Sequence, residues 1–236
     1  MIKAVIFDLD NTLEEWLPFE DEVEELFSQR LAEKYSIDAQ QFKNIFDRIK
    51  VSYLHSRSLP QDYGRDMWFS ETLAHFQIYD EDIDLLVEEY WDELLGRVKL
   101  FPQTKQTLKQ LSEEYKLGML SDSDGDRYWK EQRIKRLGIG EFFDVILTSD
   151  DIGANKPHPR CFLEAASALN ARPEECVMVG DHPEVDLITA KDLGMVTVWT
   201  REGLDEEHAS REYPYADFVI DAVVEVPGVV KAASKK

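Results

Sequence analysis

The strongest constraint on the fold is a series of short apolar runs that each end in polar residues. The first, KAVIFDLD at residues 3–10, is rich in β-branched and aromatic side chains and ends at Asp8 and Asp10. Continuous apolar runs of this length are typical of strands covered on both faces, as in a parallel sheet. Similar runs occur at residues 115–122, 144–150, 175–181, 195–200 and 216–221.

Helical patterns separate most of these runs. They include QTKQTLKQLSEEY, PRCFLEAASALN and EVDLITAKDLG. Alternation of strands with helices predicts an α/β fold, in which a doubly wound, Rossmann-like parallel sheet carries helices on both faces.

The segment from about residue 15 to residue 99 interrupts this alternation. It contains four stretches whose apolar residues are spaced three and four positions apart, and it lacks a convincing strand. We therefore predict a small all-helical cap domain at 15–99, inserted into a core domain formed by 1–14 and 100–236. Pro102, near the start of the next helix, marks the return to the sheet.

Composition argues against several classes of partner. The chain has 27 Lys and Arg against 48 Asp and Glu, a formal net charge of -21. Because such a surface repels phosphate backbones and anionic membranes, we expect no nucleic-acid partner and no membrane partner. No run approaches the roughly 18 apolar residues of a membrane span. Cys161 and Cys176 lie in apolar stretches, which indicates free thiols and a cytoplasmic location. The oligomeric state is left open by the sequence.

Several chemically active side chains are predicted to meet at one edge of the sheet. Asp8, Ser121 and Asp181 each stand at the end of an apolar run, and Asp186 follows in GDHPEVD. Lys156, in ANKPHPRCF, stands just before a predicted helix. The carboxyl ends of parallel strands share one edge, which is where open α/β sheets bind ligands. The sequence therefore predicts a site with several carboxylates, a hydroxyl and an ammonium group.

These groups favour a metal ion and a phosphorylated substrate. Converging carboxylates repel each other unless a cation joins them, and Mg²⁺ typically binds a few carboxylates together with a substrate phosphate. In such a site Asp8 would attack phosphorus and form an aspartyl-phosphate. Asp10 would protonate the departing alcohol and later accept a proton from water. Ser121 and Lys156 would bind the phosphate oxygens.

The same residues resemble the motifs of the haloacid dehalogenase (HAD) superfamily, and specifically its phosphatase branch with a helical cap after the first motif. DLDNTL resembles the first motif, DxDx(T/V), with Asp8 as the nucleophile and Asp10 as the general acid and base. Ser121 and Lys156 match the second and third motifs, and GDHPEVD matches the fourth in its GDxxxxD form. The four motifs occur in the expected order at fitting positions.

The resemblance also implies a set of metal ligands. Mg²⁺ would be held by the Asp8 carboxylate, the Asp10 main-chain carbonyl and Asp181, with Asp186 in or beside the coordination shell. One position departs from the family pattern, since Asp122 stands where many relatives have Asn. We place Asp122 among the phosphate-binding residues because its backbone N–H would face the phosphate.

The cap offers further polar and aromatic side chains as possible substrate contacts. Glu15 and Trp16 are favoured because the chain leaves the catalytic strand there. Trp91 is interpreted as a packing residue of the cap. The whole set of possible contacts is Glu14, Glu15, Trp16, His55, Arg57, Tyr63, Arg65 and Trp68.

The predicted activity is Mg²⁺-dependent hydrolysis of small phosphorylated metabolites. A phosphomutase or phosphotransferase would use the same residues and is the alternative activity. A 2-haloacid dehalogenase is less favoured, because such enzymes need no metal and typically lack an acid at the position of Asp10. The non-enzymatic alternatives are an inactive HAD-fold binding module and a phospho-accepting receiver, but a receiver is about half as long and has no cap.

Overall fold

The computed structural model describes residues 1–56, 59–204, 208 and 211–235. Arg57, one of the possible substrate contacts in the cap, lies outside the described residues. In chain order the strands are β1 (Ala4–Phe7), β2 (Glu14–Glu15), β3 (Lys99–Leu100), β4 (Lys116–Ser121), β5 (Val145–Thr148), β6 (Cys176–Gly180), β7 (Val196–Thr200) and β8 (Phe218–Ile220).

The α-helices divide into a cap group and a group that flanks the main sheet. The cap helices are α1 (Leu17–Tyr35), α2 (Ala39–Ser56), α3 (Arg65–His75) and α4 (Ile83–Arg97). The flanking helices are α5 (Thr104–Ser112), α6 (Arg127–Leu137), α7 (Ser149–Ile152), α8 (Pro159–Ala168), α9 (Ile188–Asp192) and α10 (Val226–Ala233).

The main sheet is six-stranded and parallel, with strand order β5-β4-β1-β6-β7-β8. Successive residues of β1 face opposite sides, as strand geometry requires. Val5 and Phe7 pack with α5, α6 and α10, whereas Ala4 and Ile6 pack with α7, α8 and α9. Since both faces are covered, the prediction of a doubly wound α/β fold is confirmed. Cys161 and Cys176 are buried free thiols.

The cap helices have an apolar core of their own, which includes Phe27, Phe69 and Tyr90. They are entered and left through β2 and β3, which pair antiparallel. These two strands are not predictable from the sequence, because two residues are too few to show a periodic pattern. The exact division of the chain into two domains stays a prediction.

The sheet order decides where the motif residues converge. β1 lies between β4 and β6, so its carboxyl end is flanked by the ends of the strands that precede Asp122 and Asp181. In the part of the chain that the structure describes, no helix is long and apolar enough to span a membrane.

Candidate active site

Asp8 follows β1 directly and is held by three contacts. Its backbone N–H donates to the Val179 carbonyl at 2.9 Å, which extends the pairing of β1 with β6 by one residue. Its Oδ1 accepts a hydrogen bond from Lys156 Nζ at 2.6 Å, and its Oδ2 lies 3.4 Å from the Thr12 hydroxyl. The carboxylate is therefore fixed on a buried strand end, with only 7% of the side chain exposed.

Lys156 joins two acidic motifs. Its Nζ lies 2.6 Å from Asp8 Oδ1 and 2.7 Å from Asp186 Oδ1. Lys156 is in the loop before α8, not in the helix itself. Although burial opposes a charged ammonium, the neighbouring carboxylates of Asp186 and Asp8 raise the pKa of Lys156 well above its usual value. Lys156 therefore carries a positive charge between the two acids.

Asp181 completes a cluster of three carboxylates with Asp8 and Asp186. Asp8, Asp181 and Asp186 each offer an oxygen, and these oxygens all lie within 4.8 Å of one another. Burial raises the pKa of Asp186 to about 7, with Lys156 opposing this shift and Asp8 adding to it. Burial, followed by repulsion from Asp186 and Asp8, raises the pKa of Asp181 well above its usual value. Ionisation of all three acids would therefore leave more negative charge than Lys156 alone can balance, and the raised pKa values reflect this cost.

The position of Asp186 depends on a glycine. A Cβ placed on Gly180, at the end of β6, would lie 2.4 Å from Asp186 Oδ2 and 2.6 Å from its Cγ. The backbone N–H of His182 donates to Asp186 Oδ2 at 3.1 Å and holds the carboxylate there. Only glycine at residue 180 leaves room for this arrangement.

Substitution Gly180→Ala is therefore expected to displace the Asp186 side chain. We expect a loss of about 1–3 kcal/mol in the free energy of unfolding, as for other overpacked sites. We also expect a loss of about 10- to 100-fold in the affinity for a divalent metal. Urea denaturation and metal titration measure the two effects. The matched control is Gly96→Ala in α4, where an added Cβ meets nothing within 4 Å; equal losses in both variants would contradict the explanation.

The second motif lies at the end of β4. Ser121 is buried there, and its hydroxyl lies 3.4 Å from the Asp122 carbonyl. The Asp122 carboxylate accepts the backbone N–H of Lys156 at 2.9 Å and lies 3.4 Å from the Tyr63 hydroxyl. The side chain of Asp122 thus connects the loop that carries Lys156 to the cap. These contacts give the Asp122 side chain a structural role, whereas the sequence had indicated a role only for its backbone N–H.

Asp10 points towards α6. Its carboxylate contacts the Arg133 guanidinium and lies 3.4 Å from Lys130 Nζ. Neither cation is among the site residues predicted from the sequence. Asn11, with a φ of 52°, turns the chain after Asp10, and its side chain accepts the backbone N–H of Trp16 at 3.2 Å. The first motif therefore also fixes the point where the chain enters the cap.

A cavity of about 90 Å³ lies between these residues and the cap. Four of the possible substrate contacts line it: Trp16, Tyr63, Arg65 and Trp68. His55 lines a neighbouring cleft instead. The full lining of the cavity beneath the cap is Asp10, Trp16, Glu20, Lys50, Leu54, Tyr63, Arg65, Trp68, Asp122, Ser123 and Asp124.

The remaining cap residues of the predicted set make structural contacts. Glu14 is fully buried and pairs with Arg133, while Glu15 pairs with Lys99 at 3.4 Å across β2 and β3. Trp91 is fully buried and stacks on Trp129 of α6, with ring centroids 5.3 Å apart. Trp91 thus packs the cap against the core, in agreement with its interpretation as a packing residue.

The fold and the acidic site define a class of α/β hydrolases that work at the carboxyl edge of a parallel sheet. The sequence model of the haloacid dehalogenase-like hydrolase family matches residues 2–194 of this chain. This chain belongs to that family. The resemblance noted in the sequence is thereby confirmed.

Comparison with individual proteins narrows the class. The chain is 33% identical to a glyceraldehyde 3-phosphate phosphatase of Methanopyrus kandleri, over the full length of both chains. Its fold is similar to that of a HAD phosphatase from Thermococcus onnurineus, with a TM-score of 0.72 and 29% identity over 97% of this chain and 98% of that chain. It is also similar to a 2-haloacid dehalogenase from Pseudomonas syringae, with a TM-score of 0.74 and 25% identity over 98% and 99%. The chain is a HAD-like phosphatase, a phosphoric monoester hydrolase.

Proposed function

We propose that the chain is a Mg²⁺-dependent phosphatase of small phosphorylated metabolites, with Asp8 as its nucleophile. The observation that carries the proposal is the cluster of Asp8, Asp181 and Asp186 around the single ammonium of Lys156. When all three acids are ionised, one ammonium leaves excess negative charge in the site, and a bound divalent cation would offset it.

The residues present fit a hard divalent ion. All three side chains offer carboxylate oxygens, the ligand type that Mg²⁺ prefers. Mg²⁺ would be held by the Asp8 carboxylate, the Asp10 main-chain carbonyl and Asp181, with Asp186 in or beside the coordination shell. When bound, it would neutralise charge on the phosphate oxygens of the substrate.

The reaction divides into two steps. In the first, a carboxylate oxygen of Asp8 forms a bond to phosphorus, the ester bond breaks, and the departing oxygen takes a proton from Asp10. In the second, water attacks phosphorus of the aspartyl-phosphate and gives a proton to Asp10. The bond between phosphorus and the Asp8 oxygen breaks, so inorganic phosphate is released and the Asp8 carboxylate is restored. Lys156 holds Asp8 for attack, and Ser121 with the backbone N–H of Asp122 would bind phosphate oxygens.

The cavity beneath the cap limits the size of the leaving group. Its volume of about 90 Å³ is smaller than the roughly 150 Å³ cavity that accommodates a benzene molecule. Trp16 and Trp68 line it as rigid aromatic surfaces, and Lys50 and Tyr63 bring polar groups to it. A short polyol or hydroxyaldehyde with about three carbons fits this space. The named activity of the relative from Methanopyrus kandleri supports the same class, and we propose triose phosphates as substrates.

The substrate proposal is tested with a pair of sugar phosphates. We expect kcat/KM for glyceraldehyde 3-phosphate to exceed that for glucose 6-phosphate by at least about tenfold, because the larger sugar does not fit the cavity. Release of inorganic phosphate is the measurement. Substitution Leu54→Ala, which enlarges the cavity, should narrow this ratio. The control Leu26→Ala replaces an exposed leucine of α1 and should leave the ratio unchanged. A ratio near one in the wild type would contradict the proposed size limit.

Two related activities are separated by their products. A phosphomutase or phosphotransferase would move the phosphoryl group to another hydroxyl, so phosphate release would fall short of substrate consumption. A dehalogenase would release chloride from 2-chloropropionate without Mg²⁺. Asp10 and Asp181 argue against dehalogenation, since that reaction has no leaving-group oxygen to protonate and no phosphate charge to neutralise.

A further inference from the structure

A buried charge cluster surrounds Asp10 where the first motif meets α6, next to the cavity beneath the cap. We call it the Arg133 cluster, and its members are Asp10, Glu14, Asp124, Lys130 and Arg133. Its two cations come from one face of α6, three positions apart, and both side chains are completely buried. Burial of a cation costs free energy unless the cation is paired with an acid. This face of α6 can therefore be buried only because acidic side chains contact both cations.

The contacts of Arg133 converge on three segments of the site. Its guanidinium contacts Asp10 in the first motif and Glu14 in β2, and it lies 2.8 Å from Asp124 in the loop after β4. The ring of Trp16 covers the guanidinium, with 3.7 Å between the ring centroid and Cζ. The planar guanidinium is therefore clamped between an aromatic ring and three carboxylates.

Lys130 supports the same arrangement. Its Nζ lies 2.9 Å from Asp124 and 3.4 Å from Asp10 Oδ2. Arg133 contacts the other carboxylate oxygen, Oδ1, so the two cations together restrain both oxygens of Asp10. The Asp10 side chain nevertheless stays 29% exposed and lines the cavity beneath the cap. The exposed part of the side chain would be available to the leaving group of a substrate bound in this cavity.

We propose that Arg133, assisted by Lys130, is a positioning residue that aims the Asp10 carboxylate at the leaving-group oxygen. The inference rests on the proposed function, in which Asp10 protonates that oxygen. Without Arg133, Asp10 keeps its place in the chain but loses the contact that fixes the direction of its side chain. Proton transfer requires hydrogen-bond geometry to the leaving oxygen, so an Asp10 side chain restrained by Lys130 alone protonates that oxygen more slowly, while phosphate binding stays intact.

The test compares two substrates that need protonation to different extents. Glycerol 3-phosphate expels a poor leaving group that requires a proton, whereas p-nitrophenyl phosphate expels a stable anion. The quantity measured is kcat/KM, which covers only the steps up to departure of the leaving group. We expect Arg133→Gln to lower kcat/KM about 10- to 100-fold for glycerol 3-phosphate and no more than about threefold for p-nitrophenyl phosphate. Arg133→Lys should recover part of this loss, and Lys130→Gln should show a smaller loss with the same selectivity.

A merely structural role is distinguished by a neighbouring apolar residue. Ile134 is adjacent on α6, is buried and belongs to the apolar core. Ile134→Ala destabilises the same helix without removing a charge, so it should affect both substrates in equal proportion. If Arg133→Gln does not fold, Arg133→Lys and Lys130→Gln give the same readout.

Asp10→Asn separates failure of this inference from failure of the proposed function. In one outcome, Asp10→Asn loses activity selectively with glycerol 3-phosphate, but the Arg133 and Lys130 variants lose activity equally with both substrates. This outcome would overturn only the positioning role. Equal losses in Asp10→Asn itself would overturn the assignment of Asp10 as general acid, and the inference with it. Selective losses in all of these variants would support both.

Discussion

Asp8→Asn is expected to lower phosphatase activity by about four orders of magnitude or more, with the fold retained. The substitution keeps the volume of the side chain at the end of β1 but removes the charge and the nucleophilic oxygen. It also removes the charge that pairs with Lys156 Nζ at 2.6 Å. Initial rates with glyceraldehyde 3-phosphate, measured beside circular dichroism, give the result.

The matched control is the same substitution at the opposite edge of the sheet. Asp144 precedes β5, accepts the backbone N–H of Leu117 at 3.0 Å and pairs with Lys116 at 2.5 Å. Asp144→Asn should keep activity within about twofold, because nothing at that edge touches substrate. Activity of Asp8→Asn near that of the wild type would refute the role of Asp8.

Removal of divalent metal has the second large expected effect. Chelation with EDTA should lower activity by about 10²- to 10⁴-fold, because a metal that neutralises phosphate oxygens contributes several kcal/mol to stabilisation of the transition state. Addition of excess Mg²⁺ should restore the activity. Full activity after exhaustive chelation would contradict the metal assignment.

A measurement without turnover checks the same site. Binding of Mg²⁺ to the folded state alone raises the melting temperature. Asp8, Asp181 and Asp186 supply the cluster, so the wild type should show this rise and Asp181→Asn should lose most of it. Asp144→Asn should retain the rise, because its carboxylate lies at the other edge of the sheet. An equal rise in all three proteins would indicate that Mg²⁺ binds elsewhere.

The sheet could be predicted because its strands are covered on both faces. Ala4, Val5, Ile6 and Phe7 are all fully buried, so the strand appears in the sequence as a continuous apolar run. The meeting of Asp8, Lys156 and Asp181 could also be anticipated, since parallel topology brings strand ends to one edge. These inferences need only local patterns and one general rule about parallel sheets.

The Arg133 cluster could not be predicted in this way. Helix α6 reads RYWKEQRIKRL, a strongly charged stretch that resembles a solvent-exposed helix. Lys130 and Arg133 are buried only because Asp10, Glu14 and Asp124 approach them from other segments of the chain. Burial of charge by distant partners leaves no periodic pattern in the sequence.

The contact between Asp122 and Tyr63 shows a related limit. The two residues are 59 positions apart, and the contact forms only where the cap meets the core. Trp16 was favoured as a substrate contact from its place after the first motif, and it does line the cavity. Glu15, favoured for the same reason, pairs with Lys99 across β2 and β3 instead, and this strand pairing could not be recognised from two residues of sequence.

The most direct test of the account is to trap the covalent intermediate. The enzyme is mixed with glyceraldehyde 3-phosphate and Mg²⁺, quenched in acid during turnover, reduced with borohydride and digested. Reduction converts an aspartyl-phosphate into homoserine, which mass spectrometry locates in the peptide sequence. We expect homoserine at residue 8 in the wild type and none at that residue in Asp8→Asn. Homoserine at the position of another aspartate would contradict the assignment of Asp8 as nucleophile. Unmodified Asp8 in enzyme that is turning over, with a burst of alcohol release, would also contradict it.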